Sequence, residues 1–305
     1  MGSARPAAER LKFITAVVLY GTIGMFLRFT GLPSEIVALC RGVIGSVFIL
    51  LWQTARHRPP DAAAIRRNLG WLLLSGVCLG LNWIFLFAAY TQTTVAIASL
   101  CNYMAPLLVI LAAPALLRER LDRRKLPCLA AALIGIVLVS GVAGGESASL
   151  PGVLLGLTAA LCFTAIVLCN RKLRGITAPD RAVVQLAVSA LTILPYAWLH
   201  NRGLALTVTG RSLAIVAMLG VVHTGVAYCL YFSGMGSLPV QTVAILGYLE
   251  PVVSVLCSAF FLREPLTPAG WLGAALILGA AVISERMPPL PEAGEAAPAD
   301  IKNSP

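Results

Sequence analysis

Long apolar runs separated by short polar connections dominate the chain. A helix needs about 20 mostly apolar residues to cross a bilayer, and ten runs approach that length. The predicted spans are residues 11–30, 34–52, 69–90, 94–117, 126–144, 151–170, 181–199, 211–232, 240–262 and 268–286. Strands of a membrane barrel would be about 10 residues long with strict alternation, so the pattern predicts an all-α integral membrane protein with ten transmembrane helices.

Composition points to the same class. Of the 305 residues, 58% are hydrophobic and only 12% are charged, whereas a soluble domain carries about 25% charged residues. Outside the apolar runs, residues 1–10 are predicted to be a cytoplasmic tail. Residues 287–305 are rich in Pro and Ala and have no apolar period, so they are predicted to be a disordered cytoplasmic tail.

The net charge of +10 is distributed as membrane topology requires, which argues against a nucleic-acid partner. With the N-terminus inside, 18 Lys and Arg residues fall in the inner segments and 3 fall in the outer loops, namely Arg202, Arg211 and Arg263. This asymmetry predicts that both termini are cytoplasmic. The chain is therefore expected in a plasma membrane, with the lipid bilayer as its surroundings.

Motifs of enzymes and metal sites are absent from the sequence. The eight cysteines lie in apolar runs, without a CxxC pair or a Cys/His metal spacing, and are interpreted as small packing residues. There is no P-loop and no HExxH motif. Asp61, Asp122, Asp180 and Asp300 are all predicted to be cytoplasmic, so no Ser/His/Asp set can be assembled. We expect neither enzymatic activity nor a cofactor or metal.

The two halves of the chain repeat each other. "VAIASLCNYMAPLLVILAAPALLRERL" (95–121) aligns with "VQTVAILGYLEPVVSVLCSAFFLREPL" (240–266) at eight identical positions of 27. The fourth span thus matches the ninth, which predicts two five-helix repeats at 11–144 and 151–286. Because five is odd, the second repeat enters the membrane from the opposite side. Inverted repeats give two nearly equivalent packings, the physical basis of alternating access.

These motifs resemble the EamA family of the drug/metabolite transporter superfamily. The resemblance rests on "LEP" followed by about a dozen apolar residues and "LxE", with a weaker copy in the first half, and on Arg41 early in the second span. It implies ten helices in two inverted five-helix repeats, cytoplasmic termini, and transport of small metabolites, often as export across the bacterial inner membrane. Where the family often carries Trp-Gly in its opening helix, this chain has Tyr20-Gly21.

Three ionisable residues lie inside predicted spans, where each is a functional candidate because a buried charge is costly. Glu250 and His223 are each roughly 18 Å from the outer ends of their helices, at 1.5 Å per residue. We hypothesise that they form a polar centre that faces the translocation cavity and carries a proton against substrate. Arg41 is a candidate ligand for a carboxylate group.

Structural alternatives stay open for all three residues. Glu250 could satisfy the backbone carbonyl that Pro251 leaves free, although Ala105 precedes the equivalent proline in the first repeat. His223 could be a neutral histidine hydrogen-bonded between helices. Arg41 could pair with Glu35 or with a helix C-terminus.

Aromatic and amide side chains are predicted near the same depth, and they complete the candidate substrate-binding set. These residues are Tyr103, Tyr248, Asn82, Trp83 and Asn102. A cavity of this kind suits a zwitterionic or mildly polar organic solute, although helix-packing hydrogen bonds are the commoner role for each residue singly. Pro106 and Pro251 are candidate hinges, or they only bend the helices. The pairs Gly76/Gly80 and Gly152/Gly156 are typical of helix packing.

The sequence therefore predicts a secondary transporter of small organic solutes, of amino-acid or related type, that exports by alternating access. The main alternative is a passive facilitator or channel, which would need a continuous polar pore rather than one midplane layer. The expected partners are the small-molecule substrate, the lipid bilayer and, as a candidate, protons. An intramembrane enzyme is the third class, and no motif supports it.

Overall fold

The computed structural model describes residues 4–105, 107–109, 111–112, 123–139, 150–203, 206–231, 246–247, 249–264 and 266–287. Within these residues the fold is all-helical, without strands. The helices are α1 (Ala4–Phe29), α2 (Ser34–Ala55), α3 (Ala62–Arg67), α4 (Leu69–Gln92), α5 (Val95–Asn102), α6 (Leu126–Val139), α7 (Leu150–Asn170), α8 (Ala178–His200), α9 (Gly210–Tyr231), α10 (Leu249–Phe261) and α11 (Pro268–Arg286).

Six of these helices are long and apolar enough to cross a membrane: α1, α2, α4, α7, α8 and α9. The remaining apolar helices in the described residues, such as α10, are shorter. The protein is therefore a multi-pass helical membrane protein. We call the face at which α1 begins the inner face and the face at which it ends the outer face, after the orientation expected from the positive charges.

Some helix ends differ from the apolar runs. α1 begins at Ala4, ahead of the predicted start at residue 11, because Ala, Glu and Arg are good helix formers. α5 ends at Asn102, a turn follows at Tyr103 and Met104, and the described residues 105, 107–109 and 111–112 are helical again, all within the span predicted over 94–117. The carbonyl of Asn102 would bond to the N–H of residue 106, and a proline has none to offer.

α3 lies in a connection that apolar periodicity does not detect. Asp61 caps it, since its Oδ1 accepts hydrogen bonds from the backbone nitrogens of Ala63 and Ala64 at 2.9 and 3.0 Å. Asn68 follows α3 and donates to the carbonyl of Arg174 at 2.8 Å. This bond ties the loop after α2 to the loop after α7 at the inner face.

The long helices interlock by close backbone approach. α4 packs against α7 and α8, α2 against α8 and α9, α1 against α10, α5 against α7 and α10, and α6 against α11. A Cβ built on Gly76 would lie 2.6 Å from Val188, and one on Gly80 would lie 2.8 Å from Thr192. These two glycines therefore do serve α4–α8 packing, as their spacing predicts.

α2 and α8 are joined at both ends by carboxylate–amide pairs whose carboxylates are buried. At the outer face, Asn201 Nδ2 donates to Glu35 Oε1 at 2.9 Å. At the inner face, Gln53 Nε2 donates to Asp180 Oδ1 at 2.7 Å. Because hydrogen bonds to a buried charge are strong and costly to lose, the α2–α8 pair forms a firm frame for the centre of the molecule.

Candidate functional site

Glu250 lies at the start of α10, where α10 touches α1 most closely. A Cβ built on Gly21 of α1 would lie 2.6 Å from the backbone oxygen of Glu250 and 2.7 Å from Val253 Cβ. Only glycine allows this approach without a shift of the two helices. The sequence Tyr20-Gly21 thus sets the position of Glu250 from the neighbouring helix.

Tyrosine hydroxyls surround the Glu250 carboxyl group. Tyr103, at the turn after α5, is in hydrogen-bonding position to it through its hydroxyl. Four more tyrosines lie within electrostatic interaction distance of the carboxyl group: Tyr20, Tyr90, Tyr228 and Tyr231. Tyr20 also contacts Tyr228 edge-on at 6.0 Å between ring centroids and Tyr231 at 5.9 Å. The carboxyl group therefore has an aromatic, hydroxyl-rich environment.

Arg41 occupies the opposite side of this region. It is only 3% exposed, and its guanidinium carbon lies 4.7 Å from the ring centroid of Trp83 and 5.7 Å from that of Phe87. Its Nε donates to Thr224 Oγ1 at 3.3 Å, and no acidic partner is found among the described residues. A buried guanidinium held by aromatic faces rather than by a carboxylate is available to an anionic group.

Three tyrosines connect the two charges. Tyr20 of α1, Tyr90 of α4 and Tyr228 of α9 each interact electrostatically with both Arg41 and Glu250. Glu250, Tyr20, Tyr103 and Tyr228 lie deep among the helices, yet each keeps a partly accessible surface. Arg41 and Glu250 thus share three tyrosine neighbours, Tyr20, Tyr90 and Tyr228, which we call the tyrosine wall.

His223 is buried, at 2% exposure, in a π-helical turn of α9, Val221–Val226. The Thr22 hydroxyl of α1 lies 2.8 Å from the Leu19 carbonyl, to which it donates, and shares a hydrogen bond of 3.0 Å with His223 Nε2. Phe26 contacts the imidazole edge-on at 5.3 Å. Nδ1 is buried without a well-aligned partner among the described residues, although the Met218 backbone interacts with the ring. π-turns of this kind are frequent at functional sites.

The structure does not join Glu250 to His223 directly. The hydrogen bonds that the described residues make lead from Glu250 to Tyr103 and from His223 to Thr22. α1 stands between the two, with Gly21 against α10 and Thr22 against α9. His223 does lie within electrostatic interaction distance of Arg41, so it belongs to the Arg41 side of the site.

The two amides meet each other at the edge of the site. Asn82 Nδ2 donates to Asn102 Oδ1 at 3.1 Å and to the Ala159 carbonyl at 2.8 Å. These bonds hold α4, α5 and α7 together, which is a packing role. Trp83, the neighbour of Asn82, instead stacks on Phe87 at 6.4 Å between ring centroids. The Arg41 guanidinium lies over the Trp83 ring.

Arg41 does not pair with Glu35, the alternative partner considered from the sequence. Glu35 accepts from Asn201 and lies 4.0 Å from His200 Nε2. Pro251 is buried in the first turn of α10. Tyr248 and Pro106 lie outside the described residues, so their predicted roles stay predictions.

Sequence reasoning missed several residues of this region. Tyr20, Tyr90 and Tyr231 were not selected, because an amphipathic hydroxyl inside an apolar run is indistinguishable from a packing residue without its neighbours. Arg181, counted among the inner-face charges, interacts electrostatically with Tyr228 and Tyr231. Within the described part of the chain, no cluster of His, Cys, Asp or Glu is suited to a metal ion.

Comparisons with known proteins place this arrangement in a family of carriers. Residues 10–141 and 150–285 each match the model of the EamA-like transporter family. An uncharacterized transporter of Bacillus subtilis, YxxF, is 25% identical over 86% of this chain and 84% of its own length. The aromatic amino acid exporter YddG of Ancylobacter novellus is 28% identical over 92% of this chain and 98% of its own length.

A solved structure shares the fold. It is a crystal structure of a protein with a TM-score of 0.65 and 23% identity, and the match covers 90% of this chain and 96% of that chain. At this level of identity the likeness concerns the fold alone.

Proposed function

Because the chain belongs to the EamA-like transporter family, we propose that it exports small zwitterionic solutes, of amino-acid or related type, by alternating access. The proposed site binds the substrate carboxylate at Arg41 and its ammonium group at Glu250. The substrate's apolar part would lie against Trp83 and the tyrosine wall.

The observation that carries this proposal is that two opposite charges, Arg41 and Glu250, share the same tyrosine neighbours. Three tyrosines from three helices interact with both Arg41 and Glu250. A guanidinium binds a carboxylate in bidentate fashion, and a carboxylate accepts hydrogen bonds from an ammonium group. An aromatic lining with few placed polar groups is typical of small-molecule sites. The name of the Ancylobacter relative, an aromatic amino acid exporter, agrees with such a solute.

Two inverted repeats, at residues 11–144 and 151–286, are part of the proposal. In these repeats, α1, α2, α4, α5 and α6 correspond in order to α7, α8, α9, α10 and α11. The contact of α1 with α10 then corresponds to that of α7 with α5, and the contact of α4 with α8 corresponds to that of α9 with α2. Three contacts join a helix to its own counterpart: α2–α8, α5–α10 and α6–α11. The family model also matches the chain twice, once in each half.

The carboxylate–amide pairs of α2 and α8 support the same symmetry. Glu35 begins α2 and accepts from Asn201 after α8, whereas Asp180 begins α8 and accepts from Gln53 near the end of α2. Glu35 and Asp180 are 145 residues apart, the offset that aligns the repeats. One pair lies at each face, as a two-fold axis in the membrane plane requires.

A binding measurement tests the zwitterion site. We expect phenylalanine to stabilise the purified protein against heat more than phenethylamine, which lacks the carboxylate, or 3-phenylpropionate, which lacks the ammonium group. In Arg41→Met, phenylalanine should no longer stabilise the protein more than phenethylamine does. In Glu250→Gln, phenylalanine should no longer stabilise the protein more than 3-phenylpropionate does. Each loss should be about 2 kcal/mol or more, because a charge is left unpaired in a buried site, or about thirtyfold in Kd.

Two matched variants serve as controls. Arg202→Met removes an arginine that also stacks on a tryptophan, Trp198 at 4.0 Å, but in an exposed loop. Glu35→Gln removes a buried carboxylate that is bonded to Asn201, outside the proposed site. Neither control should change the order of the three ligands. Equal stabilisation by all three compounds in the wild-type protein contradicts the zwitterion site.

Proton coupling by Glu250 is a separate part of the proposal. In proteoliposomes, an imposed proton gradient should drive uphill phenylalanine transport in the wild-type protein, and Glu250→Gln should retain at most downhill exchange. A facilitator would move phenylalanine only down its gradient in both proteins. Wild-type behaviour of Glu250→Gln at every pH would leave Glu250 a structural residue.

A further inference from the structure

Glu264 joins three helices at the outer face. Its Oε1 lies 3.1 Å from Arg28 Nη2 near the end of α1. Its Oε2 accepts from the backbone nitrogen of Val95, the first residue of α5, at 3.1 Å, and from Ser258 of α10 at 2.9 Å. Arg28 Nη2 also donates to the carbonyl of Thr93 at 3.0 Å. We call these five residues the outer cluster.

The backbone turn that places Glu264 is unusual. Arg263 has a φ of 55°, a left-handed conformation that costs a non-glycine residue about 1–2 kcal/mol. The turn brings Glu264 back onto α10, where its nitrogen donates to the Ser258 carbonyl at 3.1 Å. A strained turn persists only where surrounding contacts hold it, and here those contacts are the outer cluster.

Below the outer cluster the same three helices stay in contact as far as Glu250. Ser254 and Ser99 share a hydrogen bond of 2.7 Å between α10 and α5. Gly24 of α1 lies against Val95 of α5, and Gly21 lies against Glu250. Ser254 is one helical turn from Glu250 and Ser258 is one turn further, so the contacts form a column. Along these described residues the α1–α5–α10 seam is closed on the outer side.

The inner face differs. A crevice of about 610 Å³ is lined there by residues of α1, α2, α8 and α9, among them Lys12, Arg56, Ala182 and Leu230. The described residues thus have a closed α1–α5–α10 seam at one face and a crevice lined by α1, α2, α8 and α9 at the other. This asymmetry is expected of one state of an alternating-access protein.

We propose that Glu264 is the latch of an outer gate, which breaks its contacts with α1 and α5 in each transport cycle. The proposal rests on alternating access in the proposed function. Arg28 and Glu264 are only partly buried, with side chains 37% and 19% exposed, so water can replace their bonds when the seam opens. The buried Gln53–Asp180 pair of α2 and α8 lacks this option.

Sided cysteine labelling tests the latch without any substrate. The eight native cysteines are replaced by alanine, and Ser254→Cys is added as a probe below the outer cluster. A membrane-impermeant maleimide applied from the outside should label it at least about tenfold faster in Glu264→Ala, because hydrogen bonds to a charged group are lost. Arg28→Met, which leaves the Val95 and Ser258 bonds intact, should give a smaller increase.

A second probe distinguishes opening of the outer gate from a non-specific increase in accessibility throughout the protein. Leu230→Cys lines the inner crevice, and its labelling from the inner side should fall or stay constant in Glu264→Ala. Glu35→Gln removes a carboxylate at the same face but outside the seam, and it should leave Ser254→Cys labelling unchanged. Unchanged outer labelling in Glu264→Ala, faster labelling of both probes, or an equal increase in Glu35→Gln would each overturn the proposal. If no zwitterion binds but the outer probe responds, the substrate assignment fails and the latch stands.

Discussion

The position of His223 depends on one hydroxyl group of a neighbouring helix. The Thr22 hydroxyl lies 2.8 Å from the Leu19 carbonyl of α1 and 3.0 Å from His223 Nε2. The imidazole tautomer decides which of the two atoms donates in the bond between Thr22 and His223. The ring is thus held between α1 and α9, with Nδ1 turned away from α1.

Thr22→Val is expected to destabilise the protein by about 1–3 kcal/mol, since a buried imidazole nitrogen loses its hydrogen-bond partner. Thermal unfolding in detergent measures this change. Thr91→Val is the matched control, because Thr91 is exposed and its hydroxyl donates to the Ala88 carbonyl of its own helix. An effect of Thr22→Val no larger than that of Thr91→Val would contradict the assigned bond.

At the scale of single residues, the sequence identifies the ionisable side chains that are costly in a bilayer but not their hydrogen-bond partners. The cost of charge in a bilayer selects Glu250, His223 and Arg41 without any structure. Their partners lie far away in sequence, such as Tyr103 for Glu250 and Thr22 for His223. A threonine or a tyrosine within an apolar helix is inexpensive, so nothing in the sequence marks it as a partner.

The contact between α1 and α10 is the element-scale feature on which the Glu250 position depends. Gly21 leaves no room for a Cβ between its helix and the Glu250 backbone oxygen. Gly21→Ala should therefore push the helices apart and cost about 1–3 kcal/mol, with reduced phenylalanine binding. Thermal unfolding with and without phenylalanine tests both expectations.

Gly279→Ala, on another helix, is expected to raise stability rather than lower it. Gly279 lies in α11 with no atom within 4 Å of a built Cβ. Alanine there should stabilise the helix by about 0.5–1 kcal/mol, because it lowers the entropy that glycine loses on folding. If both alanine variants shifted stability in the same direction, the close approach at Gly21 would not be the cause.

Run length predicts the apolar helices of the chain well but not where they break or end. A described helix overlaps each predicted span, because a helix that crosses a bilayer needs a long apolar run. The turn after Asn102 and the helix α3 depend instead on proline chemistry and on the Asp61 cap. Such local features shift ends by several residues without any change in hydropathy.

At the scale of the whole molecule, left-handed backbone residues recur at a spacing close to the offset of the proposed repeats. Gly31 and Gly175, with φ of 65° and 59°, follow α1 and α7, and His57 and Gly203, with φ of 53° and 80°, follow α2 and α8. Each pair is separated by nearly the repeat offset of 145 residues. Left-handed residues at matching helix ends indicate matching exits of the chain.

The ends of α2 and α8 also share an aromatic–arginine contact. Arg56 stacks on Trp52 at 5.4 Å, and Arg202 stacks on Trp198 at 4.0 Å, each one helical turn apart. Tryptophan and arginine favour the membrane–water interface. If the repeats are inverted, these two equivalent ends lie at opposite faces of the membrane.

Sided labelling of Arg58→Cys and Arg202→Cys tests this topology, because five predicted spans separate the two exposed positions and an odd number puts them on opposite sides. With the native cysteines replaced by alanine, an impermeant maleimide should label Arg202→Cys in intact cells and Arg58→Cys only after permeabilisation. The excess of positive residues at the inner face sets this direction. Labelling of both positions from the same side would mean an even number of spans between them. That result would contradict the inverted repeat and the outer gate that depends on it.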